Sequence, residues 1–174
     1  WIAWVEGLKE HGLLADGFKT IAYSYIGSEV TYPVYFGGSL GAAKKDLHKS
    51  ADTLHSSLQE INGEAYVGCC PAIISKASVF IPGLSAYVIA LIKVLKDRGE
   101  YLTGQAHLHR LMQEFLYSGS GKVTVDAERL IRVDDIELNE EVQTMVGEMI
   151  KDINPENFAD PEFGDYAQYR KEFF

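Results

Sequence analysis

The sequence predicts an α/β fold: a parallel sheet flanked by helices, with a small β-hairpin and further helices appended toward the C-terminus. Three observations carry this. "KTIAYSYIG" at 19–27 and "EAYVGCC" at 64–70 are compact runs of β-forming residues, apolar enough to be buried in a parallel sheet. The stretch between them has helical periodicity, which makes a strand, helix, strand unit. The apolar "VFIPGLSAYVIALI" at 79–92 leads into a second strong helix. A chain of 174 residues, 47% hydrophobic and 24% charged, has the size and composition of one globular domain with a sizeable core.

Taken in order, Ile2, Val5, Leu8 and the pair Leu13 and Leu14 fall near helical spacing, and His11, Gly12 and Gly17 punctuate a helix end and turn. The first strand follows, ended by Gly27. From about Ser39 to Ile61 the apolar positions Leu40, Ala43, Leu47, Ala51, Leu54 and Leu58 recur every three or four residues. Asn62 and Gly63 supply the stop. After the second strand, "PAIISKAS" at 71–78 is a loop. A helix runs from Leu84 to Asp97, with Lys93, Lys96 and Arg98 at its negative end and Gly99 beyond it. Another helix is expected from about Gly104 to Tyr117. Ser118–Gly121 then leads into "KVTVDAERLIRV", whose two alternating segments around Asp126–Glu128 predict the hairpin. The remainder is helical and acidic. Residues 1–117 therefore form an α/β part and 118–174 an extension, within one domain.

Composition removes several functional classes. The net charge is −9; residues 1–125 carry 11 acidic and 11 basic side chains, and residues 126–174 carry 14 and 5. No basic stripe exists to meet phosphates along a nucleic acid. The longest apolar stretch has fourteen residues, broken by Pro82 and Gly83, against the ~20 needed to cross a bilayer. Cys69 and Cys70 are adjacent and so point to opposite faces of a strand; they predict core packing in a reducing, cytoplasmic setting rather than a disulfide. His48 and His55 are seven apart, His107 and His109 two apart, and neither pair makes a zinc pattern, so no metal is expected. "GGSLG" at 37–41 does not fit G-x-G-x-x-G. "GSGKVT" at 119–124 imitates a P-loop but has Leu116 for its first glycine and Val123 for the required Ser or Thr.

The chemistry is concentrated in "TYPVYFGGSLGAAKK" at 31–45. Tyr35 and Lys44 are nine apart and would face opposite sides of one continuous helix at ~100° per residue. Gly37 and Gly38 allow the chain to hold Tyr35 on an irregular segment and begin the helix afterwards, bringing Lys44 toward the phenol. An ammonium beside a phenol lowers its pKa from the usual ~10 and favours donation to a developing oxyanion.

With Tyr35 and Lys44 separated by eight residues after "AYSYIG" at 22–27, and with "SKASVFIP" at 75–82, "IRVDDIEL" at 131–138 and "DYAQYRKEF" at 165–173 following in order, the chain resembles the trans-2-enoyl-CoA and enoyl-acyl-carrier-protein reductases related to short-chain dehydrogenases. The resemblance implies the C-terminal catalytic portion of a Rossmann-like fold. It implies NADH- or NADPH-dependent reduction of the double bond of enoyl-CoA or enoyl-acyl-carrier-protein in fatty acid synthesis, with NADH favoured. By it, Tyr35 donates to the enolate oxygen, Tyr25 lies near the same oxygen, Lys44 and Lys45 serve cofactor or substrate, and Ser75 sits near the nicotinamide. Leu84, Ile92 and Tyr169 fall where the family lines its acyl pocket. A flavin is not expected from the residue pattern, although the family's C-terminal region has carried that label. The glycine-rich dinucleotide segment would lie upstream of Trp1, so this portion alone is expected not to turn over. The competing expectation is an inactive acyl-thioester or protein-binding module on the same scaffold.

Overall fold

The computed structural model describes every residue except Ser120 and Phe174, so the expected Ser118–Gly121 connection falls partly outside the described residues. Helix α1 (Ile2–Glu10) precedes strand β1 (Lys19–Ser24), helix α2 (Ser39–Ser57) and strand β2 (Glu64–Cys69). Helices α3 (Leu84–Asp97) and α4 (Gly104–Arg110) follow, then strand β3 (Leu130–Arg132) and helices α5 (Glu140–Asp152) and α6 (Tyr166–Phe173). The strands are parallel in the order β1, β2, β3, with Lys19 opposite Glu64 and Val67 opposite Leu130.

Strand periodicity divides the core. Ala65, Val67 and Cys69 of β2 pack toward one face, against Val5 of α1 and Ala51, Leu54 and Leu58 of the α2 segment. Tyr66 points to the other face, among Leu111, Leu116, Val123 and Ile131. Leu54 and Leu58 are fully buried, a contribution of roughly 1.5–3 kcal/mol each. Asn62, in the left-handed region at φ 51°, turns the chain out of the helical segment while Gly63 N–H bonds Leu58 O at 2.9 Å. A separate core surrounds α3, which buries Tyr87, Val88, Ile89, Leu91, Ile92 and Val94 against Val142 and Val146 of α5 and Tyr169 of α6. A helix buried on nearly every side is apolar nearly all round, which accounts for the long apolar stretch.

Three elements differ from expectation. The helix expected from about Ser39 to Ile61 is α2 as far as Ser57 and then a tighter 3-10 turn, Leu58–Ile61. No hairpin forms at 122–133. Instead, Asp126 Oδ1 accepts from the N–H groups of Glu128 and Leu130, both at 2.9 Å, and Arg129 takes a φ of 61°. This tight turn aims Leu130–Arg132 along the free edge of β2, where it adds a third parallel strand. The helix expected over 104–117 is α4 followed by a π-helical turn, Leu111–Leu116, in which Tyr117 N–H reaches back to Met112 O at 2.9 Å. At ~100° per residue, an α-helix would separate Leu111 and Leu116 by about 140°; the wider turn brings both into one core cluster.

Residues 28–37 make successive turns, and α2 begins at Ser39 with Gly38 extended before it. Gly41 lies against this segment, and a Cβ there would overlap the Phe36 carbonyl, which no side-chain rotation can relieve. Gly41→Ala is expected to destabilise the protein by about 1–3 kcal/mol or more. Gly7→Ala in α1, where an added Cβ meets nothing within 4 Å, is expected to stabilise by about 0.5–1 kcal/mol. Paired thermal denaturation curves check both.

Candidate active site

In an open α/β sheet the crevice beyond the carboxyl ends of the strands is where ligands bind. Here β1 ends at Ser24 and β2 at Cys69, and a cavity of about 330 Å³ lies beside the residues that follow, Tyr25 and Cys70. Tyr35 from the turn segment, Lys44 from α2, Ser75 from the loop after β2 and Leu84 from the first turn of α3 also line it. Tyr25 and Tyr35 meet edge to face with ring centroids 4.9 Å apart. Nearby, Ser24 Oγ and His48 Nε2 are hydrogen-bonded at 2.9 Å.

The structure thus brings Tyr25, Tyr35, Lys44, Ser75 and Leu84 to one cavity and places the other three expected residues elsewhere. Lys45 lays its ammonium over the Phe36 ring at 5.0 Å. Ile92, deeper along α3, lines a separate small void. Tyr169 is hydrogen-bonded to Ser85 Oγ at 2.9 Å and stacks on Tyr166 in the α3 core. The register of α3 explains the split: Leu84 stands at its cavity end, and the residues beyond are enclosed by α5 and α6.

Burial pushes the Tyr35 phenol above its ordinary value, opposite to the direction expected from a neighbouring ammonium. Lys44 Nζ instead donates to Tyr23 O at 3.3 Å. Tyr25 is raised further, by burial first and by the adjacent Glu137 second. The loop is held by reciprocal bonds: Ser75 N–H donates to Ser78 Oγ at 2.9 Å, and Ser78 N–H to Ser75 Oγ at 3.2 Å.

Sequence reasoning missed Glu137. It is 1% exposed, and its Oε1 accepts from Tyr25 at 3.1 Å and Tyr87 at 2.7 Å, while Oε2 accepts from Ala72 N–H at 2.5 Å. Burial pushes its carboxyl up to about 7 against the opposing effect of these donors. An acid in an acidic segment carries no sign of burial; only the apolar Ile136 and Leu138 beside it could have raised the question.

Two family models match: residues 1–117 fit the trans-2-enoyl-CoA reductase catalytic region and residues 125–174 the enoyl reductase FAD binding domain. The chain belongs to the trans-2-enoyl-CoA reductase family. It is 47% identical over 173 residues to an NADH enoyl-[acyl-carrier-protein] reductase of Photobacterium profundum, covering 99% of this chain and 43% of that protein. It is 42% identical to an NADH trans-2-enoyl-CoA reductase of Clostridium perfringens, covering 100% of this chain and 43% of that protein. The crystal structure of the trans-2-enoyl-CoA reductase of Clostridium acetobutulicum in complex with NADH superposes with a TM-score of 0.93 at 38% identity, over 99% of this chain and 43% of that one. The chain therefore spans less than half the length of these reductases.

The cavity fits part of a nicotinamide cofactor, since a hydroxyl donor (Tyr35), a cation (Lys44) and a small hydroxyl (Ser75) border it. The segment 125–174 does not fit a flavin dinucleotide. The start of α5 is capped by Asn139 and carries Glu140 and Glu141, which repel a diphosphate, while α5 and α6 close onto α3 through Val142, Val146 and Tyr169. Among the described residues no group of three or more His, Cys, Asp or Glu is placed to hold a metal ion, and no helix is long and apolar enough to cross a membrane.

Both thiols are free; burial pushes Cys70 up to about 11 and Cys69 up to about 12. Although Cys70 borders the cavity, its reactive thiolate is scarce. Alkylation of Cys70 near pH 8, followed by mass spectrometry, is expected to run about two orders of magnitude slower than that of an unperturbed thiol of pKa ~8.5.

Proposed function

We propose that this chain is the catalytic part of a reductase that uses NADH to reduce the carbon-carbon double bond of a trans-2-enoyl thioester, carried on CoA or on acyl carrier protein. The observation that carries the reading is the Tyr25 and Tyr35 pair, 4.9 Å apart, bordering one cavity with Lys44 at the carboxyl ends of two parallel strands. The named activities of relatives at 42–47% identity support it. In this reading residues 1–117 carry the chemistry, residues 118–174 cover α3, and the remainder of the protein holds the rest of the dinucleotide. NADPH is the less favoured cofactor, since the compared reductases carry NADH in their names. The free buried thiols suit a reducing cytoplasmic setting.

When bound, the cofactor supplies a hydride to the β-carbon of the thioester. The thioester carbonyl oxygen then gains charge as an enolate, and Tyr35 donates a hydrogen bond or proton to that oxygen. A phenol held above its ordinary pKa carries its proton before the reaction, which a donor requires. Tyr25, edge-on to Tyr35, restricts the orientation of that ring and adds a second hydroxyl to the same wall. Lys44, bordering the cavity from α2, supplies a cation for a cofactor ribose and for the phenolate character of Tyr35. Leu84 and Ile81 give the cavity an apolar side for an acyl chain and help exclude water.

The test is oxidation of NADH driven by trans-2-butenoyl-CoA in the complete protein, wild type beside Tyr35→Phe. Wild-type turnover is expected, with kcat about 10²-fold or more lower in the variant and cofactor binding retained. A complete protein that folds, binds NADH and stays inactive on short and long enoyl thioesters overturns the reading in favour of a binding module.

A further inference from the structure

Among the described residues Tyr25 is the one cavity-lining tyrosine whose hydroxyl is engaged by a buried acid, and that acid reaches several elements at once. Tyr25 follows β1, Ala72 lies in the loop after β2, Tyr87 is on α3, and all three donate to Glu137. Gln143 of α5 completes the arrangement, its amide donating to Tyr87 Oη at 2.9 Å and to the Glu137 backbone O at 2.6 Å. Tyr25 and Ala72 both border the cavity; Glu137 stands behind them.

We propose that Glu137 is a positioning residue for the reduction, setting whether the Tyr25 hydroxyl donates inward to the carboxylate or outward into the cavity. The proposal rests on the reductase reading above. Counting donors and acceptors gives the logic. An ionised Glu137 has only acceptors, so both tyrosine protons turn toward Oε1 and Tyr25 presents no proton to the cavity. A neutral Glu137 must place one proton. Oε2 faces the Ala72 N–H, which can only donate, so the proton belongs on Oε1. Tyr87 already accepts from Gln143 and lies 2.7 Å from Oε1 as a donor; Tyr25, at 3.1 Å, has the freer oxygen. Glu137 then donates to Tyr25 and releases the tyrosine's own proton toward the cavity wall. Among the described residues its only other acceptor is Thr31 Oγ1, a long contact at 3.4 Å.

The carboxyl titrates where such a switch matters, since burial lifts it to about 7. The groups facing it are Tyr25 after β1, Tyr87 of α3 and Gln143 of α5, together with Asp134 after β3, whose charge raises Glu137 further and which is itself paired with Arg132 at 2.8 Å. His107 and Glu172 border the small void behind it. For a step that needs the Tyr25 donor, the sign follows: the active form is the protonated one, so kcat falls as pH rises through about 7, approaching tenfold per pH unit above it.

The experiment is the pH profile of kcat for the complete protein with NADH and trans-2-butenoyl-CoA, in wild type, Glu137→Gln and Tyr87→Phe. Wild type is expected to show a single falling limb near pH 7. Glu137→Gln, whose amide can bond Tyr25 at every pH, is expected to lose that limb whatever its absolute rate. Tyr87→Phe, which removes a donor that holds the carboxyl down, is expected to move the limb to higher pH and decides the matter if the glutamine variant does not fold. A limb that persists unshifted in the variants, or its absence from an active wild type, overturns the role of Glu137 and leaves the reductase reading standing. An inactive wild type overturns both.

Discussion

A carboxyl group with almost no exposure, tied to three elements, is the constraint on which the arrangement of the site depends. Removing a carboxylate from water is costly unless every lone pair finds a donor, so Glu137 holds its neighbours to a narrow geometry. Tyr25, Ala72 and Tyr87 supply those donors, and Gln143 binds the backbone beside them. The carboxyl ends of β1 and β2 are thereby fixed relative to α3 and α5. A cavity bordered by residues from four separate segments keeps its shape because the elements behind it share one buried acceptor.

The two parts of the chain matched by different family models meet in that network. Glu137 and Gln143 belong to the C-terminal segment, while Tyr25, Ala72 and Tyr87 belong to the catalytic region. The α3 core makes the same join with apolar contacts, Val142 and Val146 against the buried face of α3. Residues 125–174 thus act on the cavity as structure, by closing α3 and anchoring the floor beneath Tyr25. The Asn139 cap and the acidic first turn of α5 suit that role and oppose a diphosphate.

Local rules were enough to read much of this from the sequence, and their failures have a common cause. The strand pair, α2 with the tighter turn after it that Asn62 and Gly63 close, and α3 from Leu84 to Asp97 follow from periodicity and termination signals that act within a few residues. The β3 pairing does not, because the edge that receives Leu130–Arg132 belongs to β2, some sixty residues earlier in the chain, and an alternating pattern cannot say which strand it will meet. Tyr35 and Lys44 were legible as a pair because Gly37 and Gly38 separate the irregular segment from α2, whereas Tyr25, Ser75 and Leu84 were legible through the family resemblance and not through any local rule. Ile92 and Tyr169 were not separable from core, since an apolar face looks the same against a ligand as against α5. Glu137 left no trace because its partners are 65 or 112 positions away for two of its three bonds.

The raised phenol of Tyr35 and the engagement of Lys44 with a backbone carbonyl fit together once the proposed reduction is divided into its stages. Before hydride transfer the tyrosine must hold a proton; a phenol with its ordinary pKa of ~10 already does so near neutral pH, and burial reinforces it. A cation is of use only later, as negative charge develops on the substrate oxygen and is shared with the phenol. In this structure the ammonium makes an exposed hydrogen bond of 3.3 Å to Tyr23 O, long and open to water. An anionic or hydroxyl-rich ligand entering the cavity competes with that bond at small cost. The expectation that Lys44 lowers the Tyr35 pKa is not met in this structure, where burial raises the phenol and keeps it in the protonated form from which the proposed donation begins.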